Sequence, residues 1–379
     1  MAKAFGMPKR KAIVTVINDL YSDRRVDKTC RTLIEQGFEV TLIGRLLPGS
    51  PALEKRDYHT RRLPMIFQNG ILMYLEFQIR LFVWLISHKG NFFWSNDLDT
   101  VLPVLIVAKI RNAPVIQDSH EYFTGVPELI HSPLKRKTWK TLERICYPRV
   151  DELITVNQSI ARLFEKEYNR KVHVIRNVPE TVSIPNPRSK QDLGIPSDKH
   201  ILLMQGAGIN VQRGAEELVL SMEYIPDAIL YIIGSGDVFG KLKKLVGDKK
   251  LYNKVIFLNR MPYKELLEHT RIADLGFSLD KPLSINYKYS LPNKLFDYIQ
   301  AHTPIIASDI PEVKHIIKEY DIGLIVNSHK PETIAENIQA ALQDKEQYQK
   351  WQENLKFAAE KLTWKNEQQI LLELLKKYV

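Results

Sequence analysis

Short apolar runs of strand length alternate with stretches of helical periodicity along the whole chain. Most of these runs show no alternation of apolar and polar residues, which predicts strands buried on both faces of parallel sheets. In the first half they cover residues 12–17, 40–43, 92–94, 115–117, 153–156 and 172–175. In the second half they cover residues 201–204, 229–233, 255–258, 275–278, 304–307 and 323–326. The helical patterns between them predict crossover helices, so we expect an α/β protein with doubly wound parallel sheets.

One turn-rich stretch interrupts this alternation. It contains Pro179, Pro185, Pro187 and Pro196, with Asn and Ser residues between them. Such a composition is typical of an interdomain linker, and 379 residues suit two domains better than one. We therefore predict a first domain over residues 1–185 and a second over residues 186–364.

The most hydrophobic long stretch runs from Ile71 to Ser87 and is interrupted by Glu76 and Arg80. It falls short of the ~20 apolar residues that a membrane span needs. We interpret it as a buried or interfacial helix of the first domain. Of the two alternatives, the pattern favours a core helix over a helix that lies on a bilayer.

Features of the N-terminus and of the cysteines indicate a cytoplasmic protein. The basic segment Met1 to Arg10 leads directly into the first strand without a long apolar region, so no secretory signal is predicted. Cys30 and Cys146 are too few for a disulfide framework or a metal-ligand cluster.

Charge is distributed unevenly along the chain. Residues 1–180 hold 28 Lys and Arg against 19 Asp and Glu, which gives +9, whereas residues 181–379 hold 26 against 25, which gives +1. Basic clusters lie at Arg61-Arg62 and Lys135-Arg136-Lys137. The asymmetry predicts an anionic partner for the first half, with solubility as the simpler alternative.

Polar clusters follow three strands of the first half. They are Asn18-Asp19, Ser95-Asn96-Asp97 and Asp118-Ser119-His120-Glu121. Functional residues of doubly wound sheets lie at the carboxyl ends of strands, so we expect a site there. Asp97 and Asp99 have the spacing of a metal-binding pair. Nothing else nearby supports a metal, and we interpret them as a loop and a helix cap.

Glycines and cations follow two strands of the second half. Gly206, Gly208 and Arg213 lie in the loop after the first of these strands, and Gly234 ends the next. Glycines let the backbone approach a diphosphate, and Arg213 offers it a forked donor. A turn that merely joins a strand to a helix is the alternative.

A turn, a short helix and a buried strand follow one another from Ser290 to Asp309. Pro292 suits the start of a helix, so the N–H groups near Asn293 and Lys294 lack partners within the helix and can bind an anion. Asp297 lies one turn further on, where its carboxylate can accept hydrogen bonds from the hydroxyls of a ribose.

This segment resembles the donor-binding motif of retaining glycosyltransferases with two Rossmann-like domains, in particular glycosyltransferase family 4 (group 1). The usual motif has two glutamates eight positions apart. Here Asp297 stands at the second position and Tyr289, which cannot act as a carboxylate, at the first. In the loop after residue 204, Arg213 replaces the family's Lys and Gly208 its Arg, so Lys294 is the candidate to compensate.

The resemblance implies two Rossmann-like domains facing a cleft (GT-B), with a helix over residues 365–379 that crosses back to the first domain. It implies a retaining hexosyltransferase that uses a nucleotide-sugar, needs no metal or other cofactor, and serves cell-surface polysaccharide or glycolipid synthesis. The implied catalytic residues are His120 and Glu121. The implied donor-binding residues are Gly206, Gly208, Arg213, Gly234, Arg260, Asn293, Lys294 and Asp297. The acceptor-side candidates are Asn18, Asp19 and Asp97.

Three alternatives bear on function. A nucleotide-sugar epimerase would share the architecture but need no second substrate. Nucleic-acid binding is disfavoured because no aromatic residues interleave with the Lys and Arg residues. For the acceptor, we expect a lipid-linked molecule or glycan presented at an anionic membrane surface, to which the first domain attaches peripherally, with a soluble acceptor as the alternative.

Overall fold

The computed structural model describes residues 10–379 except 22, 127–128, 130–131, 182–188 and 197. The chain divides into two compact units, Met1–Arg176 with Gln368–Val379, and Asn177–Glu367. The boundary that the sequence placed near residue 185 lies outside the described residues.

Seven parallel strands form the sheet of the first unit. They are β1 (Lys11–Thr15), β2 (Glu39–Arg45), β3 (His59–Leu63), β4 (Phe92–Asn96), β5 (Val115–Ser119), β6 (Glu152–Thr155) and β7 (His173–Val174). Their order is β3-β2-β1-β4-β5-β6-β7, so the direction of chain progression reverses between β1 and β4. Ligands of doubly wound sheets bind beyond the carboxyl ends of strands at such a switch point.

The apolar pattern misses β3 entirely. This strand lies at the edge of the sheet, and three of its five residues are exposed. Edge strands with charged side chains resist pairing with other chains, and here the sequence His-Thr-Arg-Arg-Leu carries no apolar run to recognise.

Five helices of the first unit are described. They are α1 (Arg24–Glu35), α2 (Gly70–Ser87), α3 (Val101–Arg111), α4 (Pro133–Cys146) and α5 (Gln158–Tyr168). Asp23 caps α1 by accepting the N–H of Val26 at 3.1 Å. Thr100, not Asp99, occupies the cap position of α3, so the interpretation of Asp99 as a helix cap is wrong.

Helix α2 is not the core helix that the sequence favoured. Only Met73, Phe77, Leu81 and Leu85 are buried, and their spacing of four residues puts them along a single stripe of the helix. The rest of this apolar helix is partly or fully exposed. Apolar composition alone predicted burial, but α2 has apolar side chains on two opposite faces and the unit covers only one of them.

Six parallel strands form the sheet of the second unit. They are β8 (His200–Gly206), β9 (Ala228–Gly234), β10 (Val255–Leu258), β11 (Leu275–Ser278), β12 (Ile305–Ser308) and β13 (Gly323–Val326). Their order is β10-β9-β8-β11-β12-β13, which puts the switch point between β8 and β11. The core beside it contains Leu202, Leu230 and Phe277. Two doubly wound parallel sheets confirm the predicted fold class.

The helices of the second unit follow the strands in turn. They are α6 (Ala215–Ser221), α7 (Phe239–Asp248), α8 (Tyr263–Ile272), α9 (Ile285–Lys288), α10 (Asn293–Ala301), α11 (Pro311–Tyr320), α12 (Pro331–Gln343) and α13 (Lys345–Lys361). Between α12 and α13 the chain breaks at Asp344, whose Oδ1 accepts the N–H of Gln347 at 3.0 Å. The N-cap bond starts the second helix.

The last helix, α14 (Trp364–Leu375), begins in the second unit, and the chain from Gln368 onward belongs to the first. Within the first unit, the ring of Tyr378 meets that of Phe92 edge-on with centroids 5.5 Å apart. Lys377 Nζ lies 2.6 Å from a carboxylate oxygen of Glu152. The C-terminal segment thus packs on the first sheet.

Candidate functional site

A buried carboxylate joins two cations at the switch point of the second sheet. Asp280, two residues beyond β11, is fully buried. Its Oδ1 accepts a hydrogen bond from Arg213 Nη1 at 2.8 Å, and its Oδ2 lies 3.5 Å from Lys294 Nζ. The loop after β8, the end of β11 and the start of α10 therefore meet at one point.

The electrostatics of this cluster leave a surplus of positive charge. Burial alone would raise the pKa of Asp280, but Lys294 and Arg213 outweigh it and hold that pKa below its usual value. Burial opposes the charge of Arg213, yet Asp280 raises its pKa. For Lys294, burial prevails over Asp280, and Arg213 adds to it, so the pKa is lowered. One carboxylate between two cations leaves a net positive charge, which suits a diphosphate.

Two further features help to fix the position of Arg213: the ring of Tyr287 and the close packing of Gly214 against Leu279. Its guanidinium carbon lies 4.4 Å from the centre of the Tyr287 ring. The next residue, Gly214, has a φ of +73°, and a Cβ there would collide with the carbonyl oxygen of Leu279. Only glycine lets the loop approach the end of β11 this closely.

The predicted glycine loop forms a second small network. The Ile209 N–H donates to the carbonyl of Ser235 at 2.8 Å. Arg260 donates to the hydroxyl of Ser235 at 2.6 Å and to the carbonyl of Ala207. A Cβ on Gly234, whose φ is +135°, would collide with the carbonyl oxygen of Gly206. In contrast, Gly208 has no close neighbour that requires glycine, and its proposed contact with a diphosphate stays a prediction.

The two remaining donor-side candidates lie on α10. Asn293 is its first residue and is exposed. Asp297 is buried, and its carboxylate accepts hydrogen bonds from Tyr263 at 2.8 Å and from Gln205 at 3.2 Å. This carboxylate thus ties α8, α10 and β8 together, and its contact with a ribose stays a prediction.

In the first unit, His120 lies among polar groups from two strand ends. Its backbone N–H donates to Asp97 Oδ1 at 2.8 Å, and its Nδ1 lies 3.4 Å from Asp97 Oδ2. Its Nε2 lies 3.1 Å from Asn96 Oδ1 and 3.6 Å from Asp118 Oδ2. Asn96 in turn donates to the carbonyl of Thr15 at 2.9 Å, which ties β4 to β1 at the switch point.

A buried arginine, Arg25, holds the carboxylate of Asp118 that faces His120. Arg25 of α1 donates to both oxygens of Asp118, at 3.0 and 2.7 Å, and to the carbonyl of Ile175 at 2.7 Å. Burial raises the pKa of Asp118, but Arg25 and His120 outweigh it, so the pKa is lowered and the carboxylate stays charged. Against the effect of burial, Asp97 and Asp118 raise the pKa of His120 to about 9. The ring is therefore an imidazolium at neutral pH.

Other candidates of the first unit have structural partners. Asn18 donates to Asp23 at 2.7 Å and accepts the N–H of Leu20 at 2.9 Å. Asp19 accepts the hydroxyl of Ser50 at 3.1 Å. The carbonyl of Glu121 accepts the hydroxyl of Ser119 at 3.0 Å. These contacts shape the loops after β1 and β5, and the proposed roles of these residues stay predictions.

Sequence reasoning missed Asp280 and Arg25 as members of these clusters, and it placed Asn96 in the polar cluster at the end of β4 without giving it a role. Asp280 carried a usable signal, since it stands just beyond the carboxyl end of a predicted strand. Arg25 carried none, because its burial depends on where α1 packs. Among the described residues, no group of three His, Cys, Asp or Glu side chains is placed to hold a metal ion.

Two family models match the chain. The one described as Glycosyl transferases group 1 matches residues 185–357, and the one described as Glycosyltransferase Family 4 matches residues 22–180. Together they span both units, and each match lies mainly within one of them.

The chain is similar to several proteins of about the same length. The chitobiosyldiphosphodolichol beta-mannosyltransferase of Candida glabrata is 20% identical over 392 residues, covering 90% of this chain and 85% of that protein. A sucrose-phosphate synthase of Thermosynechococcus elongatus superposes with a TM-score of 0.80 at 17% identity, covering 97% and 99% of the two chains. An Anabaena protein, HepE, solved with UDP and glucose has a TM-score of 0.74 at 13% identity, covering 97% and 100%. These structural matches support the predicted fold class, two Rossmann-like domains of the GT-B type.

Proposed function

Because this chain belongs to the group 1 glycosyltransferases of family 4, we propose that it transfers a hexose from a nucleotide-sugar to an acceptor hydroxyl with retention at the anomeric carbon. The observation that carries the proposal is the pair of cations, Arg213 and Lys294, on the buried carboxylate of Asp280. Their position at a switch point is where a doubly wound sheet binds a nucleotide.

The cluster would act on the leaving group. As the bond from the anomeric carbon to the diphosphate breaks, negative charge accumulates on the diphosphate oxygens. Preorganised cations in a water-poor setting stabilise such charge, and Asp280 holds both of them in place before the reaction begins. Two fixed cations can serve in place of a divalent ion, and we propose a metal-independent reaction.

His120 would contact the transferred sugar. Because Asp97 and Asp118 keep the ring protonated at neutral pH, it would donate hydrogen bonds to sugar oxygens rather than remove a proton. Its ring is partly exposed, with 19% of the side chain accessible, so a ligand can reach it.

For the acceptor, we propose a lipid-linked molecule or glycan at the cytoplasmic face of an anionic membrane, in cell-surface polysaccharide or glycolipid synthesis. The Candida glabrata relative is named for a dolichol-linked substrate. The excess of positive charge in residues 1–180 would attract the first unit to anionic lipids, at about 1 kcal/mol per Lys or Arg close to the surface.

The donor-side proposal is tested by identifying the bound nucleotide. Mass spectrometry of the purified protein, followed by calorimetry with UDP, GDP and ADP, should single out one nucleoside diphosphate. Incubation of the matching nucleotide-sugars should then give product only when an acceptor extract is added. Conversion of the sugar without any acceptor would instead show an epimerase, and failure to bind any of the three nucleotides would refute the proposal.

A further inference from the structure

Helix α2 has two apolar faces, and the first unit covers only one. Successive residues of an α-helix turn by about 100°, so residues four apart lie almost in line. Met73, Phe77, Leu81 and Leu85 follow this spacing and are buried in the unit. A second apolar stripe lies on the opposite side of the helix and is exposed.

We call this second stripe the outer face. It consists of Ile71, Leu72, Leu75, Ile79, Val83 and Ile86, whose exposed fractions range from 43% to 74%. Single exposed apolar residues are ordinary on protein surfaces, but six aligned along one helix form a continuous apolar ridge.

Neighbouring segments extend the outer face. The carboxylate of Glu76 accepts the N–H of Ile66 at 2.9 Å and that of Phe67 at 2.8 Å, which holds this exposed apolar pair beside the helix. Helix α3 packs against α2 and has two further exposed apolar residues, Ile106 and Ile110. With Ile66 and Phe67 beside α2, the exposed apolar surface is wider than one helix.

Basic residues accompany this surface. Residues 59–89 and 101–111 hold six Lys and Arg residues and one acidic residue, Glu76. The six are Arg61, Arg62, Arg80, Lys89, Lys109 and Arg111. Glu76 is paired with Arg80 at 2.7 Å. Arg111 donates to the carbonyls of Leu85 and Ile86, at 2.8 and 3.0 Å, which brings the basic end of α3 to the end of α2.

We propose that the outer face of α2 lies in the plane of an anionic phospholipid bilayer, with its aliphatic side chains among the acyl chains and the surrounding Lys and Arg at the headgroups. An apolar face flanked by cations is the pattern of interfacial helices. The inference rests on the proposed membrane location of the acceptor and names the element that makes the contact.

Two other occupants fit less well. By length and hydropathy alone, Gly70–Ser87 could cross a membrane, contrary to the expectation from the sequence. A spanning helix would, however, have to withdraw its buried stripe from the unit and carry Glu76 and Arg80 into hydrocarbon. A second copy docking through the same face would bring the two basic rims together, where like charges repel.

A fluorescent label can report the contact directly. Cys30 and Cys146 are both buried, so a cysteine introduced at an exposed position is the preferred target of a thiol-reactive, polarity-sensitive dye. Ile79→Cys puts the label on the outer face, and Arg162→Cys, exposed on α5, is the matched control. Vesicles of phosphatidylcholine are compared with vesicles containing phosphatidylglycerol.

The label at position 79 should shift to the blue and gain several-fold in intensity with anionic vesicles, while the label at position 162 should not change. In co-sedimentation, the double variant Leu75→Gln/Ile79→Gln should bind these vesicles at least tenfold more weakly, because two aliphatic side chains no longer enter the lipid. Both positions are more than half exposed, so folding should not suffer.

The outcomes separate the two proposals. Co-sedimentation with an unchanged label at position 79 would overturn the role of α2 and leave membrane binding to another surface, such as Lys135 to Lys137. A blue shift that grows with protein concentration in the absence of lipid would assign the face to a second copy. If the protein fails to bind anionic vesicles at all, both membrane proposals are wrong, whereas the nucleotide experiment stands unaffected.

Discussion

Arg213 and Asp280, 67 residues apart in the chain, form an ion pair with 2.8 Å between a half-buried guanidinium and a fully buried carboxylate. Lys294 approaches the other oxygen of the same carboxylate. Asp280 is thus the residue on which the geometry of both cations depends.

Replacing Asp280 should therefore affect both stability and transfer. In Asp280→Asn the two cations lose their counter-charge, and breaking such a buried cluster costs roughly 3 kcal/mol of unfolding free energy. We expect transfer to fall about tenfold to a hundredfold, as measured in initial-rate assays beside urea unfolding. Glu217→Gln, which breaks the more exposed pair with Lys281, is the control and should cost less than about 1 kcal/mol. Equal effects of the two substitutions would show that Asp280 has no special role.

Arg213→Ala and Lys294→Ala should each lower turnover by roughly tenfold to a thousandfold, because each removes one electrostatic contact to the leaving group. Calorimetry should also show weaker binding of the nucleoside diphosphate. Lys281→Ala, a neighbouring cation that faces Glu217, provides the comparison. Wild-type rates in both test variants would show that this cluster does not bind the diphosphate.

His120→Ala should abolish most transfer but leave the affinity for the nucleoside diphosphate nearly intact. The reason is that His120 belongs to the first unit, whereas the proposed phosphate contacts belong to the second. Calorimetry with the nucleotide alone decides the point. A large loss of affinity for the nucleoside diphosphate would contradict the proposed contact between His120 and the sugar.

The stability of the protein should depend on pH through His120. An unperturbed His titrates near pH 6.5, whereas Asp97 and Asp118, against burial, raise the pKa of His120 to about 9 in the folded chain. The folded state thus holds this proton more tightly than the unfolded state. The resulting stabilisation, up to about 3 kcal/mol, is complete below pH 6.5 and is lost as the pH rises through 9.

Urea unfolding at pH 6, 7.5 and 9.5 of the wild type and His120→Gln measures this contribution. The difference in unfolding free energy between them should be largest at pH 6 and smallest at pH 9.5. The titration of the His120 ring by NMR, identified by the signal that the variant lacks, should have a midpoint well above 6.5. A midpoint at or below 6.5 would contradict the assignment of an imidazolium.

Gly234→Ala should destabilise the second unit by several kcal/mol, since the residue has a φ of +135° and its Cβ would meet the carbonyl oxygen of Gly206. Gly240→Ala is a matched control within α7, with nothing near the added methyl group, and should stabilise by up to about 1 kcal/mol. Thermal unfolding compares the two. If both substitutions act in the same direction, the close approach of the two strand ends does not constrain residue 234.

The amino-acid sequence alone determined the class of fold and indicated the segments in which we propose the site. Strands such as β8 and β12 are buried on both faces, so they appear as unbroken apolar runs. Glycines, cations and polar clusters next to such runs mark the carboxyl ends of strands, where ligands bind in these sheets. The placement of His120 and Arg213 after strands and of Lys294 at a helix start could be predicted because this relation is local in the chain, whereas their roles stay predictions.

Tertiary structure decided which of these side chains meet. Asp280 joins Arg213 and Lys294 only because β8 and β11 are neighbours in the sheet. Arg25 reaches Asp118 only because the start of α1 lies beside the end of β5. The two faces of α2 differ for the same reason: both are apolar, and only the packing of the unit determines which one is covered. Pairings across many residues depend on strand order and helix placement, which no local pattern of apolar and polar residues encodes.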